Sequence, residues 1–363
     1  MAGRTRKRGE AVRTFILRNV EDRSGDVVLR ATRQFGISRQ AVHKHLKFLV
    51  GANLISRMSL ARYQLCTLEE HKTILPVTDA APEDIVWRME IRDMLAALPE
   101  NALDIWRYGF TEIFSNVAAH SGSESAFVQV RRTAVSTKMT IWDRGVGIFD
   151  KLLSHMDLID ERHAILELTK GKLTTDPASH PGQGIFFTAR IFDTFSILSK
   201  GVLLSHTSGD GDDWTVETQQ EGFGTLVTMT LKNDTSRQIK DIYERFSSQT
   251  SPGFSTTVVS AHLAQYGTEK LVSRSEAKRL LERVDRFRVA LIDFDRVECI
   301  GQAFADEIFR VYPSEHPEVS IREIRTNKEV QDTIDGVRQV DHTPARRQGS
   351  PQDPALAGEE IGV

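Results

Sequence analysis

Three polar residues at four-residue steps, Glu112, Asn116 and His120, stand in the stretch Gly109-Phe-Thr-Glu-Ile-Phe-Ser-Asn-Val-Ala-Ala-His120. At 3.6 residues per turn they share one helix face. Phe110, Ile113, Phe114, Val117 and Ala118 fall mostly on the other side, which predicts an amphipathic helix with a buried flank. A Glu and an Asn one turn apart make a compact site for a metal ion and water. The Asn carbonyl is a neutral oxygen ligand for Mg²⁺, and the carboxylate can orient or deprotonate an attacking group. A solvated helix face has the same spacing, so this stretch alone does not decide between the two.

The blocks that follow narrow the choice. Ile141-Trp-Asp-Arg-Gly-Val-Gly-Ile-Phe149 reads as an apolar strand ending in Asp143, with Gly145 and Gly147 just after it. Pro181-Gly-Gln-Gly-Ile-Phe-Phe-Thr188 sets Gly182 and Gly184 before a helix, and Gly224-Thr225 opens a strand, Leu226–Leu231. In this order and spacing the four blocks resemble the N, G1, G2 and G3 boxes of the GHKL ATP-binding fold. That superfamily includes gyrase-type topoisomerases, heat-shock chaperones, histidine kinases and MutL-type repair proteins. The first block is closest to the form found in anti-sigma-factor serine kinases, and the resemblance spans about Asp84 to Lys232.

The resemblance implies roles residue by residue. Asp143 accepts a hydrogen bond from the adenine amine, and Gly145 and Gly147 let backbone lie close under the base. Gly182 and Gly184 free backbone N–H groups to face phosphate at a helix N-terminus. Asn116 ligates Mg²⁺, Glu112 is the general base toward water or a protein hydroxyl, and Thr225 supports the bound ATP. Lys170 and Lys172 flank the polar run Gly171–Pro181, the expected ATP lid, where two lysines either reach phosphate or, as is commoner in a loop, are simply solvated. His120 is expected to pack or to cap its helix.

The elements that must position these groups belong to a chain of 363 residues, long enough for two or three domains. Apolar residues at 40% and charged residues at 27% indicate a soluble globular protein, and no apolar run approaches a membrane span. The basic N-terminus lacks the apolar core of a secretory signal. Cys66 and Cys299 are too few for a disulfide framework or a zinc cage and read as buried thiols, which fits a reducing cytoplasm. Charge is unevenly spread. Residues 1–66 hold 14 Lys/Arg against four acids, a formal +10, so the remainder carries −13 of the net −3. Any contact with nucleic acid is therefore expected in the head.

That head reads as a helix through Val12–Val20, a second over Val27–Gln34 capped by Asp26, a turn at Gly36, and a third from Ser38 to Val50. Leu54-Ile55 and Tyr63–Leu65 suggest a hairpin carrying Arg57 and Arg62. The arrangement resembles a winged helix-turn-helix over residues 12–66, within a head of 1–66. It implies duplex DNA as partner, read by Arg39, Gln40, His43, Lys44 and Lys47 of the third helix. Residues 67–82 read as a linker, 83–234 as the ATP-binding domain with a mixed sheet in a two-layer α/β sandwich, and 235–253 as a linking helix. Residues 254–338 follow a βαβα order that resembles a STAS-like domain of unknown function. It is expected to dock a protein partner, and 339–363 is expected to be a disordered tail. Where related anti-anti-sigma proteins carry a phosphoacceptor serine, this sequence has Gly301, Gln302 and Ala303, none with a hydroxyl.

The fold class expected is thus α+β and multidomain. The first functional reading is a cytoplasmic ATP-binding transcriptional regulator, with no membrane partner. The alternatives are an anti-sigma-type protein serine kinase and a DNA-manipulating ATPase. The last is disfavoured, because the sequence after the sandwich does not resemble the transducer domain that such ATPases carry there.

Overall fold

In the computed structural model the described residues are 2–340, apart from 23–24, 60–61, 79–81, 174–181, 210–211, 219–221, 223, 249–250 and 266–269. The expected tail from 341 onward and most of the expected lid lie outside them.

The head comprises α1 (Ala2–Glu21), α2 (Val27–Phe35), α3 (Arg39–Gly51) and an antiparallel pair, β1 (Ile55–Arg57) and β2 (Tyr63–Leu65). Local chemistry sets its turns. Asp26 accepts from the backbone N–H groups of Val28 and Leu29, Gly36 takes a left-handed φ of 59°, and the Ser38 side chain accepts from Ala41 N–H. Val12, Ile16, Val20, Ala31, Val42, Leu46, Leu49 and Ile55 form a core of their own. Val50, at the end of α3, is 42% exposed.

Residues 67–82 are more than a linker. They contain β3 (Glu69–Pro76), which pairs antiparallel with β4 (Ser125–Arg132) along its whole length. Next come α4 (Glu83–Val86), continued by a π turn and a 3₁₀ turn to Leu95, and α5 (Glu100–Asn116). Beyond β4 lie β5 (Ser136–Asp143), α6 (Ile148–His155), α7 (Glu161–Lys170) and α8 (Gly184–Ile191). The strands β6 (Thr194–Ser199), β7 (Val202–Ser208), β8 (Asp212–Thr218) and β9 (Thr225–Lys232) complete the unit.

Seven strands form one sheet in the order β3-β4-β5-β9-β6-β7-β8. Every pairing is antiparallel, where a mixed sheet was expected. Val128, Val130, Met139, Ile141, Val227, Met229 and Ile197 are buried in one core with Ile105, Trp106, Phe110 and Ile113 of α5. Alternation along each strand sends the intervening residues to the other face. There the register aligns Ile74, Phe127, Trp142, Leu226, Leu198 and Leu203 in one cross-strand row.

The segment expected as a linking helix holds α9 (Ile239–Arg245) and a small hairpin, β10 (Ser247–Ser248) with β11 (Ser251–Phe254). A parallel three-stranded sheet follows, β12 (Thr256–Ser260), β13 (Val289–Asp293) and β14 (Ser320–Ile324), in that order. Its helices are α10 (Arg274–Leu281), α11 (Gln302–Asp306), α12 (Tyr312–Glu315) and α13 (Lys328–Val340). Gly301 precedes α11, where a Cβ would press on Val272. Cys66 and Cys299 are both half-buried rather than buried. Among the described residues no helix is long and apolar enough to cross a membrane.

Candidate functional site

A cleft partly open to solvent lies between the end of α5, the ends of β5 and β9, and the helices α6, α7 and α8. Five of the expected ligand-binding residues line it: Asn116, Asp143, Gly147, Gly182 and Thr225. Its walls are apolar, with Ile113, Val117, Ile141, Leu168, Leu173 and Ile185 among them. Such a lining suits a flat base, and the few polar groups then set orientation.

Asp143 ends β5 and is 3% exposed. Its Oδ1 accepts from Gly145 N–H at 2.8 Å and from Thr225 N–H at 3.4 Å. Burial pushes its carboxyl above the usual carboxylate range, and the two backbone bonds offset part of that push. Both bonds fall on one oxygen, so the carboxylate is fixed in rotation. Thr225 in turn accepts from Ile148 N–H at 3.0 Å, tying the start of α6 to the start of β9.

The glycines act largely through protein–protein approach. A Cβ at Gly145 would collide with the Ser121 carbonyl at the end of the helix, so this residue packs loop on helix and stays outside the cleft lining. Gly147 has a φ of 87° and would meet Ser199 Oγ at 2.7 Å. Gly182, also left-handed, would press on the Leu173 backbone.

Gly184 opens α8, and a Cβ there would run into Glu112 Oε2. Glu112 and Gly184 are both outside the cleft lining. The half-buried carboxylate instead sits at the N-terminal end of α8, where the helix dipole favours an anion. One turn earlier on α5, Tyr108 accepts from Tyr243 O–H at 3.1 Å. Burial first, and the Glu112 charge next, keep the Tyr108 phenol protonated.

After Asn116 the helix widens into a π turn over Val117–Ser121 and stops at left-handed Gly122. His120 thereby lines the cleft rather than merely capping the helix. Lys151, on α6, also lines it and was not singled out in the sequence. Its signal was a lysine one helical turn after Gly147.

The lid lysines go elsewhere. Lys170 is 1% exposed, bound to Glu167 and to the Glu282 carbonyl at 2.8 Å. Lys172 donates to the Arg286 carbonyl at 2.6 Å and lies 4.5 Å from the centre of the Phe287 ring. Both lysines are therefore held by the C-terminal domain in this conformation.

Residues 78–205 match the family model of the histidine kinase-like ATPase domain. The chain carries such a domain. Residues 276–331 match a STAS-like domain of unknown function (DUF4325). No curated protein matches the chain. Arg39, Gln40, His43, Lys44 and Lys47 are all exposed on α3, far along the chain from the cleft. The head touches the ATPase sandwich at α1, where Arg18 pairs with Asp234 at 2.6 Å and Glu21 accepts from the Ser136 hydroxyl.

Proposed function

We propose that the cleft binds Mg-ATP and that its occupancy is passed to a DNA-binding head and a STAS-like interaction domain, in transcriptional control in the cytoplasm. The observation that carries the nucleotide reading is Asp143, a buried and rotationally fixed acceptor at the floor of an apolar cleft. An exocyclic amine such as that of adenine complements it, whereas a base with a carbonyl at that position would set acceptor against acceptor. Asn116 fits a Mg²⁺ ion as its one protein oxygen, since this ion keeps waters and phosphate oxygens as its other ligands. The ion would neutralise phosphate charge. Lys151 and His120 supply further positive or donor groups to the same anion.

Glu112 is the general base in this reading when a water or a protein hydroxyl lies between it and the nucleotide. In the present conformation its carboxylate faces α8, so turnover requires α8 or Glu112 to move. Binding without turnover, as in a nucleotide sensor, requires no such movement. The head is read as a winged helix-turn-helix because α2, the Gly36 turn and α3 are followed by a two-stranded hairpin, and because five polar or basic side chains are exposed on α3.

Calorimetry with Mg-ATP and Mg-GTP tests the central step. Binding of the adenine nucleotide with clear preference is expected. Equal affinity for both, or none for either, removes the reading.

A further inference from the structure

The last residues of α7, those just after it and the start of α8 are held by the C-terminal part of the chain. Leu168 and Leu173 form part of the cleft wall, yet the residues between them face the other way. Thr257 Oγ of β12 donates to the Lys170 carbonyl at 2.7 Å, and Arg286 Nη1 donates to the Lys172 carbonyl at 3.0 Å. Gly171 packs so closely on Phe254 that a Cβ would lie 2.7 Å from its ring. At the start of α8, Ile185 lines the cleft while Phe186 and Phe187 pack with Phe246, Phe254, Val258 and Phe287.

Between α7 and α10 the contact is charged. Glu167, 1% exposed, binds Lys170 through one oxygen and Arg283 Nη1 through the other at 3.1 Å, and His163 Nε2 lies 3.0 Å from Glu282 Oε2. Oxygens of Glu167 and Glu282 and the His163 nitrogen lie within 4.8 Å of one another, a metal-like spacing. Lys170 and Arg283 already balance the two carboxylates, however, so a divalent ion would add uncompensated buried charge. The cluster is a salt-bridged seam between domains.

We infer that the STAS-like domain is a built-in control element of the nucleotide cleft, its docking on α7 and α8 holding the cleft wall in the form that takes nucleotide. This rests on the nucleotide reading above. Docking and binding then reinforce each other. With α7 and α8 already held in place, the nucleotide has less of the cleft wall to immobilise, and bound nucleotide stabilises the docked domain by the same factor. A buried charged seam suits a releasable contact, because its groups regain hydration on separation. A partner that takes the STAS-like domain away would therefore loosen the cleft.

The test uses the full chain and the variant Arg283→Glu, which sets a second carboxylate against Glu167 without altering the ATPase domain. Hydrogen exchange in 161–173 should rise while that in β13 stays as in the parent, and Mg-ATP affinity should fall by at least about fivefold. Faster exchange with unchanged affinity would overturn the coupling. Unchanged exchange in 161–173 would overturn the role of the seam in docking. A parent chain that binds no Mg-ATP defeats the nucleotide reading instead, while the exchange comparison still decides whether docking holds the wall.

Discussion

Replacing Asp143 by Asn changes one atom in the cleft. The amide oxygen can keep the place of Oδ1, accepting from Gly145 and Thr225 N–H, which forces the NH₂ group to the position of Oδ2. A donor then faces the adenine amine, also a donor. The loss is that of a hydrogen bond to a charged group, about 1.5–3 kcal/mol, or roughly 10- to 150-fold in affinity. The fold should not suffer, because the substitution removes a carboxylate whose burial is unfavourable. The same carboxylate gives a pH signature. Its pKa is raised, so as pH falls protonation begins above the ordinary carboxylate range, and a protonated Oδ2 can no longer accept. Mg-ATP affinity of the parent should therefore decline in mildly acid solution, while that of Asp143→Asn stays flat over the same range. Calorimetry across pH measures both. Parent-like affinity in Asp143→Asn at neutral pH, or the same pH dependence in both proteins, would refute the assignment.

Gly184→Ala should destabilise the ATPase domain by about 1–3 kcal/mol through overpacking against Glu112, and adding Glu112→Ala should recover most of the loss. Additive effects in thermal melts would deny that contact. Asn116→Ala should abolish the Mg²⁺ dependence of nucleotide binding while leaving weak metal-free binding, readable by titration with and without chelator. On DNA, Arg39→Ala should relax sequence preference and Lys47→Ala should weaken all sequences evenly. Indifference of both variants in a binding array would remove the DNA-reading role of α3.

Much of the cleft was legible because its residues lie in short blocks whose local spacing sets their direction. Asp143 and Thr225 sit at strand ends, where one residue of register decides what faces the pocket, and Gly147 directly precedes α6. Asn116 follows from helical periodicity. What was not legible depended on distant partners. Lys170 and Lys172 look like solvated lid residues until Arg279–Arg286 fold over them, more than a hundred residues later. The link from Gly184 to Glu112 likewise appears only when α8 crosses α5. β3 escaped notice because Glu69-Glu70-His71-Lys72 is an edge strand, polar on purpose where it meets water, and it buries only Leu75 fully. The sheet, expected to be mixed, is antiparallel throughout, with β7 pairing β6 on one side and β8 on the other.

In the proposed function the ATPase domain is a switch for the head, which α1 anchors to the sandwich through Arg18 and Glu21. The most direct measurement is a titration of duplex DNA against the full chain, with and without a saturating non-hydrolysable Mg-ATP analogue. DNA affinity should change by about 5–150-fold, and analogue affinity should change by the same factor when DNA is present. Identical DNA affinity in both conditions would contradict the account.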